Sequence, residues 1–425
     1  MDLLCDAYSN SSDEEEEEKP KRQKFSHTFS NPPKPYLPSP SSSSSSSNLH
    51  TQSLIPGSYV SKRQRASMAS ISTPHSVPLS SSSFTLSGSI SDADIPHTIV
   101  ASLKSKTNGH QNLNLVPDKL SATLSGHTRA VNAIHWSSTH AHLLASAGMD
   151  NTVCIWNVWS RDKKKACTLN FHNAAVKDVK WSQQRHFLLS CGYDSTSRLV
   201  DVEKGMETQV FREEQMVGVI KFHPDNSNLF LSGGSKGHIK LWDIRTGKVV
   251  HNYNRNLGSI LDVEFIMNGK QFISSSDVSG SNISENSIIV WDVSRQVPLS
   301  NQVYVEAYTC PCVRRHPFDP VFIAQSNGNY IAIFSTTSPY RLNKYKRYEN
   351  HGVSGFPIKC NFSLDGKKLA SGSSDGSIYL YDYESSKVLK KIKAFDQACL
   401  DIAFHPVMPN VIASCSWDGS ILVFE

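Results

Sequence analysis

The sequence predicts an all-β fold, a seven-bladed propeller of four-stranded sheets with a disordered tail before it. Three observations carry that prediction. Between Gly126 and Trp156 the chain sets out, in order, a Gly-His pair, an apolar alternation ending in Trp136, Leu143-Leu144-Ala145-Ser146, Asp150 and Ile155-Trp156, and the order recurs downstream. Its last apolar mark, Trp156, returns as Val200, Trp242, Trp291, Phe334, Tyr381 and Phe424, at spacings of 44, 42, 49, 43, 47 and 43 residues. That period is the length of one propeller blade. Between the marks lie short period-two apolar runs separated by Gly, Asp and Ser, which favour strands over helices, and no helical stretch is predicted.

Composition divides the 425 residues into a tail, 1–118, and a repeat body, 119–425. The tail has few aromatics, many prolines and a run of seven serines from Ser41 to Ser47. Such a segment cannot bury enough apolar surface to offset its ordering entropy. Up to Lys119 there are eleven Lys/Arg and eleven Asp/Glu, so the net charge of +5 comes from the repeats and is too mild to demand a nucleic-acid partner. Nine cysteines, an odd number spread through predicted strands, read as free buried thiols in a reducing compartment. The N-terminus lacks a basic start and a long apolar core, and no window approaches the roughly 18 apolar residues of a membrane span. Neither a signal peptide nor a membrane segment is expected.

The tail opens with an acidic block, Asp13 to Glu18, followed by Lys19, Lys21, Arg22 and Lys24, with a second basic group at Lys62-Arg63-Gln64-Arg65. Exposed basic clusters suit a nuclear import receptor, although charge runs of this length also occur as plain solvated segments. A nuclear location is therefore expected, with the cytoplasm as the alternative. Leu120 to Leu124 reads as a strand, and it matters because the chain stops one residue after Phe424. If each repeat begins with the outer strand of the preceding blade, this strand completes the seventh and hides its edge.

Alternation then places inner strands at Val131/Ile134/Trp136, Val176/Val179/Trp181, Val217/Ile220/Phe222 and Ile260/Val263/Phe265. In the fourth repeat Asp277 to Asn286 interrupts a tight turn. A polar loop on the face of the Gly-His loops is either a partner contact or a tolerated insertion, and Asp277, Ser279, Ser281, Asn282, Glu285 and Asn286 are its candidates. Arg341 to Tyr348 mixes cations with tyrosines, as a nucleic-acid surface would, but falls where an outer strand belongs. Cys310-Pro-Cys312 has only His316 nearby, which does not make a zinc site. No cofactor or metal is expected.

These marks resemble a WD repeat. The resemblance implies that a loop His, a strand Ser, a turn Asp and a strand Trp form one hydrogen-bonded set in a blade. His127, Ser146, Asp150 and Trp156 are a complete set; His172, Ser190 and Asp194 lack the Trp, with Val200 in its place, and His351, Ser371 and Asp375 end on Tyr381. Ser414 and Asp418 lack the His, whose place Phe395 takes. A Ser, a His and an Asp suggest a hydrolase, but recurrence at fixed offsets marks a bond network built blade by blade, not a triad built once. The third repeat has Lys236 for the Asp and the fifth has Ala324 and Gly328, so the third, fifth and seventh blades are expected to depend more on apolar packing.

Leu299 to Val303, Tyr308 to Pro311, Ala324 to Tyr330, Pro339 to Arg341 and Lys236 to Lys248 narrow the resemblance to the WD repeat-containing protein 25 family. That family is similar in turn to the Prp-seventeen class of splicing factors. The resemblance implies a non-catalytic scaffold for protein–protein interactions, in nuclear RNA-processing or pre-mRNA splicing complexes. Other proteins of a multi-subunit complex are the expected partners, direct RNA contact is conceivable chemically, and the propeller is expected to be monomeric. Trp242-Asp243-Ile244-Arg245 also resembles the WDxR signature of cullin ubiquitin-ligase substrate receptors, which makes Arg245 a second candidate contact. An enzyme would need converging groups near the axis. Asp178, Asp262 and Asp401, at one inner-strand offset, are the acidic set found there and are taken as polar lining open to a partner.

Overall fold

The protein is described from a computed structural model, which covers residues 83–104, 116–183, 186–255, 257–266, 269–277, 288–300 and 308–425. Seven antiparallel sheets form the body. In the first blade the inner strand Val131–Trp136 pairs with Leu143–Gly148, that strand with Val153–Asn157, and the last with Lys165–Leu169. The other six blades begin with inner strands Val176–Trp181, Val217–Phe222, Ile260–Ile266, Cys312–Arg315, Cys360–Phe362 and Cys399–Phe404. Each inner strand packs beside the next, and the seventh packs beside the first, so the array is a closed seven-bladed propeller.

Closure follows the route that the short C-terminus implied. Leu120–Leu124 pairs with Ile421–Phe424 as the outer strand of the seventh blade, Leu120 facing Phe424 and Leu124 facing Ile421. Lys119 and Glu425 exchange backbone hydrogen bonds of 3.0 and 2.9 Å at the end of that ladder. Leu124 is fully buried, in an apolar cluster that also holds Val131 and Trp156 of the first blade and Val423 of the seventh. One short strand thus removes a free edge and packs across the seam between the two chain ends. No helix among the described residues is long and apolar enough to cross a membrane.

The expectation that residues 1–118 stay outside the ordered body fails for residues 83–104. Phe84–Leu86 adds a fifth strand to the outer edge of the first blade, pairing with Lys165–Leu169. The chain then crosses beneath that blade. Asn157 Nδ2 donates to the carbonyls of Ser89 and Ser91 at 3.2 and 3.0 Å, His142 Nε2 lies 3.0 Å from the carbonyl of Ile90, and Ile95 is buried. Phe84 reaches the second blade, where its ring lies over Gly205; a Cβ there would sit 2.7 Å from the ring, and the turn holds φ at +63°, so glycine answers both demands. A helix, His97–Lys104, follows Pro96, which the expectation of an all-strand body omitted. The reason is local. Three β-capable residues are lost in an average over the whole tail, yet an outer strand offers a row of unpaired backbone groups for them to join.

Truncations test the architecture. Removal of residues through Asp118 should lower the melting temperature modestly, because Phe84–Leu86 and its contacts go with it. Removal through Leu124 should produce aggregation or a far larger fall, since the seventh blade then keeps three strands and a bare edge. Equal melting of the two proteins, followed by circular dichroism, would rule out this closure.

Candidate functional site

The Gly-His loop brings His127 over the Ser146 strand and the Asp150 turn. His127 Nδ1 lies 3.0 Å from Asp150 Oδ2, His127 Nε2 lies 2.7 Å from Ser146 Oγ, and the Trp156 indole N–H donates to the same oxygen at 2.8 Å. Asp150 also accepts from the Thr128 and Thr152 amides and the Thr152 hydroxyl, at 2.9, 3.2 and 2.8 Å. Burial opposes a charge on His127, but the hydrogen bonds and charges of Asp150 and Cys154 together outweigh it and raise the imidazole to about 9. Burial likewise works against the carboxylate, and His127 with its neighbours still keeps Asp150 well below the usual carboxylate range. The polarity is therefore opposite to that of a hydrolase. A triad histidine must accept the hydroxyl proton. Here the imidazolium donates to Ser146, whose hydroxyl in turn faces the Cys154 carbonyl at 3.4 Å and is buried from any substrate.

In the second blade His172 lies 3.0 Å from Asp194 Oδ2 and 2.8 Å from Ser190 Oγ, with buried Val200 in the place of the indole. Arg198 adds itself there, 3.5 Å from Asp194 and 2.9 Å from Glu207. The sixth blade departs from expectation. His351 Nδ1 meets the Tyr381 hydroxyl at 2.8 Å, that hydroxyl donates to the Glu349 carbonyl, and Ser371 bonds to Gln325 and Gly372. Asp375 pairs instead with Lys391, at 2.9 Å. The phenol's oxygen extends past the site an indole nitrogen would fill, so the imidazole bonds to it, and burial pushes His351 down to about 4. In the seventh blade Asp418 holds only Ser420, through amide and hydroxyl, and Ser414 Oγ has no partner. The fifth relies on stacked Phe322 and Phe334, 5.0 Å apart.

The third blade does not rely on apolar packing alone. Glu213 stands where the histidine would, accepting from Ser232 at 2.5 Å, and Trp242 donates to Ser232 at 2.9 Å. Gln215 donates to Glu213 at 3.0 Å and to the His238 carbonyl at 2.9 Å, while its oxygen accepts from the Lys236 amide at 3.1 Å. Lys236 therefore needs no carboxylate in its place, because Gln215 serves the turn. A Glu-x-Gln pair ahead of an inner strand was the available signal, hidden because a histidine was sought there.

Asp178, Asp262 and Asp401 are not lining open to a partner. Each is nearly buried, and each accepts from the inner-strand amide of the next blade: Ile220 to Asp178 at 3.4 Å, Val313 to Asp262 at 3.0 Å and Ile134 to Asp401 at 3.1 Å. Each also accepts from the amide that follows it, at 3.0, 2.9 and 2.8 Å. A β-bulge just before each aspartate turns its carboxylate toward the neighbouring strand. Lys180 and Lys359 neutralise Asp178 at 2.6 and 3.7 Å, Arg314 pairs with Asp262, and Lys359 lies 3.4 Å from Asp401. Their role is to tie blades together around the axis. None remains free for a substrate, and no metal-ligating cluster occurs among the described residues.

What the Gly-His face does offer lies on its turns. In six blades the turn after the second strand donates one backbone N–H to the segment entering the inner strand: Met149 to Ala130, Tyr193 to Ala175, Ser235 to Met216, Asp277 to Ser259, Asn327 to Thr309 and Trp417 to Ala398, at 2.8 to 3.0 Å. That bond places each turn tip beside the channel entrance. Tyr193, Met216, Tyr308 and Trp417 are all exposed there by 39 to 50%. Lys177 lies 5.5 Å from the Tyr193 ring, and burial beside Lys359 lowers its ammonium to about 8. Phe356 meets Trp417 edge-on at 5.5 Å. Asp277 opens the inserted turn; Ser279, Ser281, Asn282, Glu285 and Asn286, like Lys19, Lys21, Arg22 and Lys24, lie outside the described residues. Arg245 is at the opposite face, exposed, with its guanidinium 2.8 Å from Asp243.

Five segments, 118–157, 163–201, 207–243, 343–382 and 386–425, match the family described as WD domain, G-beta repeat. WD repeat-containing protein 25 of Mus musculus is 40% identical over 73% of the chain and 58% of its own length. Pre-mRNA-processing factor 17 of Mus musculus is 31% identical over 73% of the chain and 52% of its own length. The namesake protein of Saccharomyces cerevisiae is 25% identical over 73% of the chain and 67% of its own length. The chain thus spans a little over half the length of the two mouse relatives.

Asp150→Asn should destabilise the protein by roughly 1 to 3 kcal/mol near neutral pH, and Asp418→Asn by less, since Asp418 abandons fewer partners. The pair carries a pH signature. A raised His127 contributes fully below its unfolded value of 6.5 and loses that contribution as pH rises through about 9, whereas a depressed Asp150 loses its own as pH falls below the usual carboxylate range. The wild-type advantage over Asp150→Asn in urea unfolding should therefore be largest near pH 5 to 6 by about these pKa limits, and shrink on both sides. Glu213→Ala should likewise cost roughly 1 to 3 kcal/mol, because Ser232 and Gln215 lose their acceptor in a buried site; a neutral change would return the third blade to apolar packing alone.

Proposed function

The chain is a WD40-repeat protein related to WD repeat-containing protein 25 and to pre-mRNA-processing factor 17, and on that premise we propose that it is a non-catalytic scaffold that seats partner proteins on its Gly-His face. The observation that carries the reading is the set of exposed side chains Tyr193, Met216, Tyr308 and Trp417 on the rim of the channel entrance. Aromatic and methionine side chains held on short turns bury large area at small entropic cost, which is the composition of interface anchors. Beneath Tyr193 and Met216 the buried polar groups of the second and third blades satisfy one another and so hold those turns in place.

The relation to a pre-mRNA-processing factor supports placing those partners in a nuclear RNA-processing assembly, with one monomeric propeller per complex. The basic tail residues Lys19, Lys21, Arg22 and Lys24 would serve import, and the Asp277 to Asn286 insertion would lie at the rim of the same face. Repeat body 119–425 would be the binding module.

Affinity purification of the double variant Tyr193→Ser, Trp417→Ser from nuclear extract tests the seat. Partner recovery should fall by about tenfold or more, with the melting temperature nearly unchanged because both side chains are half-exposed. Replacing Val278 to Glu285 with a short glycine-containing turn should weaken the same recovery without loss of stability. Recovery of an unaltered partner set by either folded variant would clear that element of a recognition role.

A further inference from the structure

Charge around the axis is paired except at one buried point. The inner strands carry four carboxylates, and each has its cation: Lys180 lies 2.6 Å from Asp178, Arg314 pairs with Asp262, Lys221 lies 2.6 Å from Glu264, and Lys359, just ahead of the sixth inner strand, lies 3.4 Å from Asp401. Lys177 and Arg315 are left over. Arg315 ends its strand at the far face, exposed to water. Lys177 is half-buried at the Gly-His end, and no carboxylate among the described residues forms an ion pair with it.

A bulge sets its position. In five inner strands the register slips by one residue at the Gly-His end, and the residue in the slip is Asn132, Lys177, Gly218, Leu261 or Leu400. Lys177 is the one charged member of that layer. Asn132 Nδ2 donates to the Val176 carbonyl at 2.7 Å, which leaves its Oδ1 facing the Lys177 ammonium at 3.5 Å, and the Tyr193 ring lies 5.5 Å from the same nitrogen. An ammonium has three donors, and here one of them meets a neutral oxygen at the long limit of a hydrogen bond. Burial, with Lys359 nearby, pushes the amine down to about 8, the direction taken by a cation without a counter-charge. A half-buried charge held this way costs stability, and a bound counter-charge would remove that cost.

Resting on the reading of the Gly-His face as the partner seat, we propose that Lys177 is its charge-selective contact, receiving one aspartate or glutamate carboxylate that a partner protein carries into the channel entrance. Charge complementarity chooses the ligand. One unmatched positive charge is balanced by one carboxylate, whereas a phosphate monoester brings a charge of about −1.5 to −2 and three acceptor oxygens to a layer whose other members are neutral. Tyr193, Met216 and Trp417 on the exposed rim supply contact area around the pair and exclude water from it, as near-neutral contacts do around an interface anchor. An apolar rim accepts many partners, and a carboxylate required at its centre selects among them.

The test uses the full chain with proteins bound from nuclear extract, treated with a zero-length carbodiimide, which couples an amine to a carboxylate only where the two touch. Peptide mass spectrometry should find Lys177 joined to an aspartate or glutamate of a bound protein. Lys177→Met should reduce recovery of that protein by at least about tenfold, and Lys177→Arg, which keeps the charge, should retain most of it. Lys177→Met should melt no lower than wild type, because it removes an unmatched charge. A bound protein coupled through other lysines and never through Lys177, recovery indifferent to Lys177→Met, a lower melting temperature for that variant, or recovery abolished by phosphatase treatment of the extract would overturn the proposal. The seat itself is judged separately: loss of the protein with Tyr193→Ser, Trp417→Ser but not with Lys177→Met keeps the seat and removes only its charge selection.

Discussion

Everything in this propeller depends on a pairing between the two ends of its repeat body. Leu120–Leu124 and Ile421–Phe424 are about three hundred residues apart in sequence and one ladder apart in space. A ring of sheets without that pairing has a bare edge and an unfilled cluster at one seam, and each blade buries its faces only against its neighbours. With the seam shut, every inner strand has a neighbour on both sides, and loops at both faces are held at fixed positions. Packing of Leu124 with Val131, Trp156 and Val423 in one cluster makes closure and core formation a single event.

Two polar systems then work at right angles to each other. Within the first and second blades, imidazole, hydroxyl and carboxylate bind the three inner strands of one sheet, and in the third a glutamate and a glutamine do the same with different chemistry. Between blades, Asp178, Asp262 and Asp401 reach sideways to an amide of the next sheet. The first system sets the geometry of the turns, and the second keeps sheets from sliding about the axis. Both are buried, so both would be expensive to leave half-made. This is why the Gly-His face can present Tyr193 on a rigid tip, and why the aspartates near the axis are unavailable for chemistry.

Legibility in the sequence tracked how local each interaction is. The seven repeats, the interrupting turn of the fourth and the closing strand could all be read from spacing, because period and chain end are properties of the string. His127, Ser146, Asp150 and Trp156 could be grouped because their offsets repeat. The sixth set could not be judged this way: Tyr381 has the same offset as Trp156, yet its oxygen lies far enough out to take His351 for itself. Glu213 and Gln215 escaped because a bond network was identified by one residue type when its function can be met by another. Phe84–Leu86 escaped because three residues carry no periodicity, and what orders them is an edge supplied by residues eighty positions later.

By itself, then, the sequence determined the fold class, the number of blades, the place of closure and the bonded sets of the first two blades, since hydrophobic period and turn chemistry act over neighbouring residues. Tertiary structure alone decided which polar groups meet across blades and which are left over. Asp178 belongs to the amide of Ile220, while Trp181, three residues further on, has no acceptor for its indole, and nothing in the spacing of the two distinguishes them. The rotation between sheets decides which neighbouring backbone groups come within reach: at the same register as Trp181, Trp136 meets the Ala403 carbonyl. Pairing across that rotation is a property of the closed ring, and no single repeat contains it.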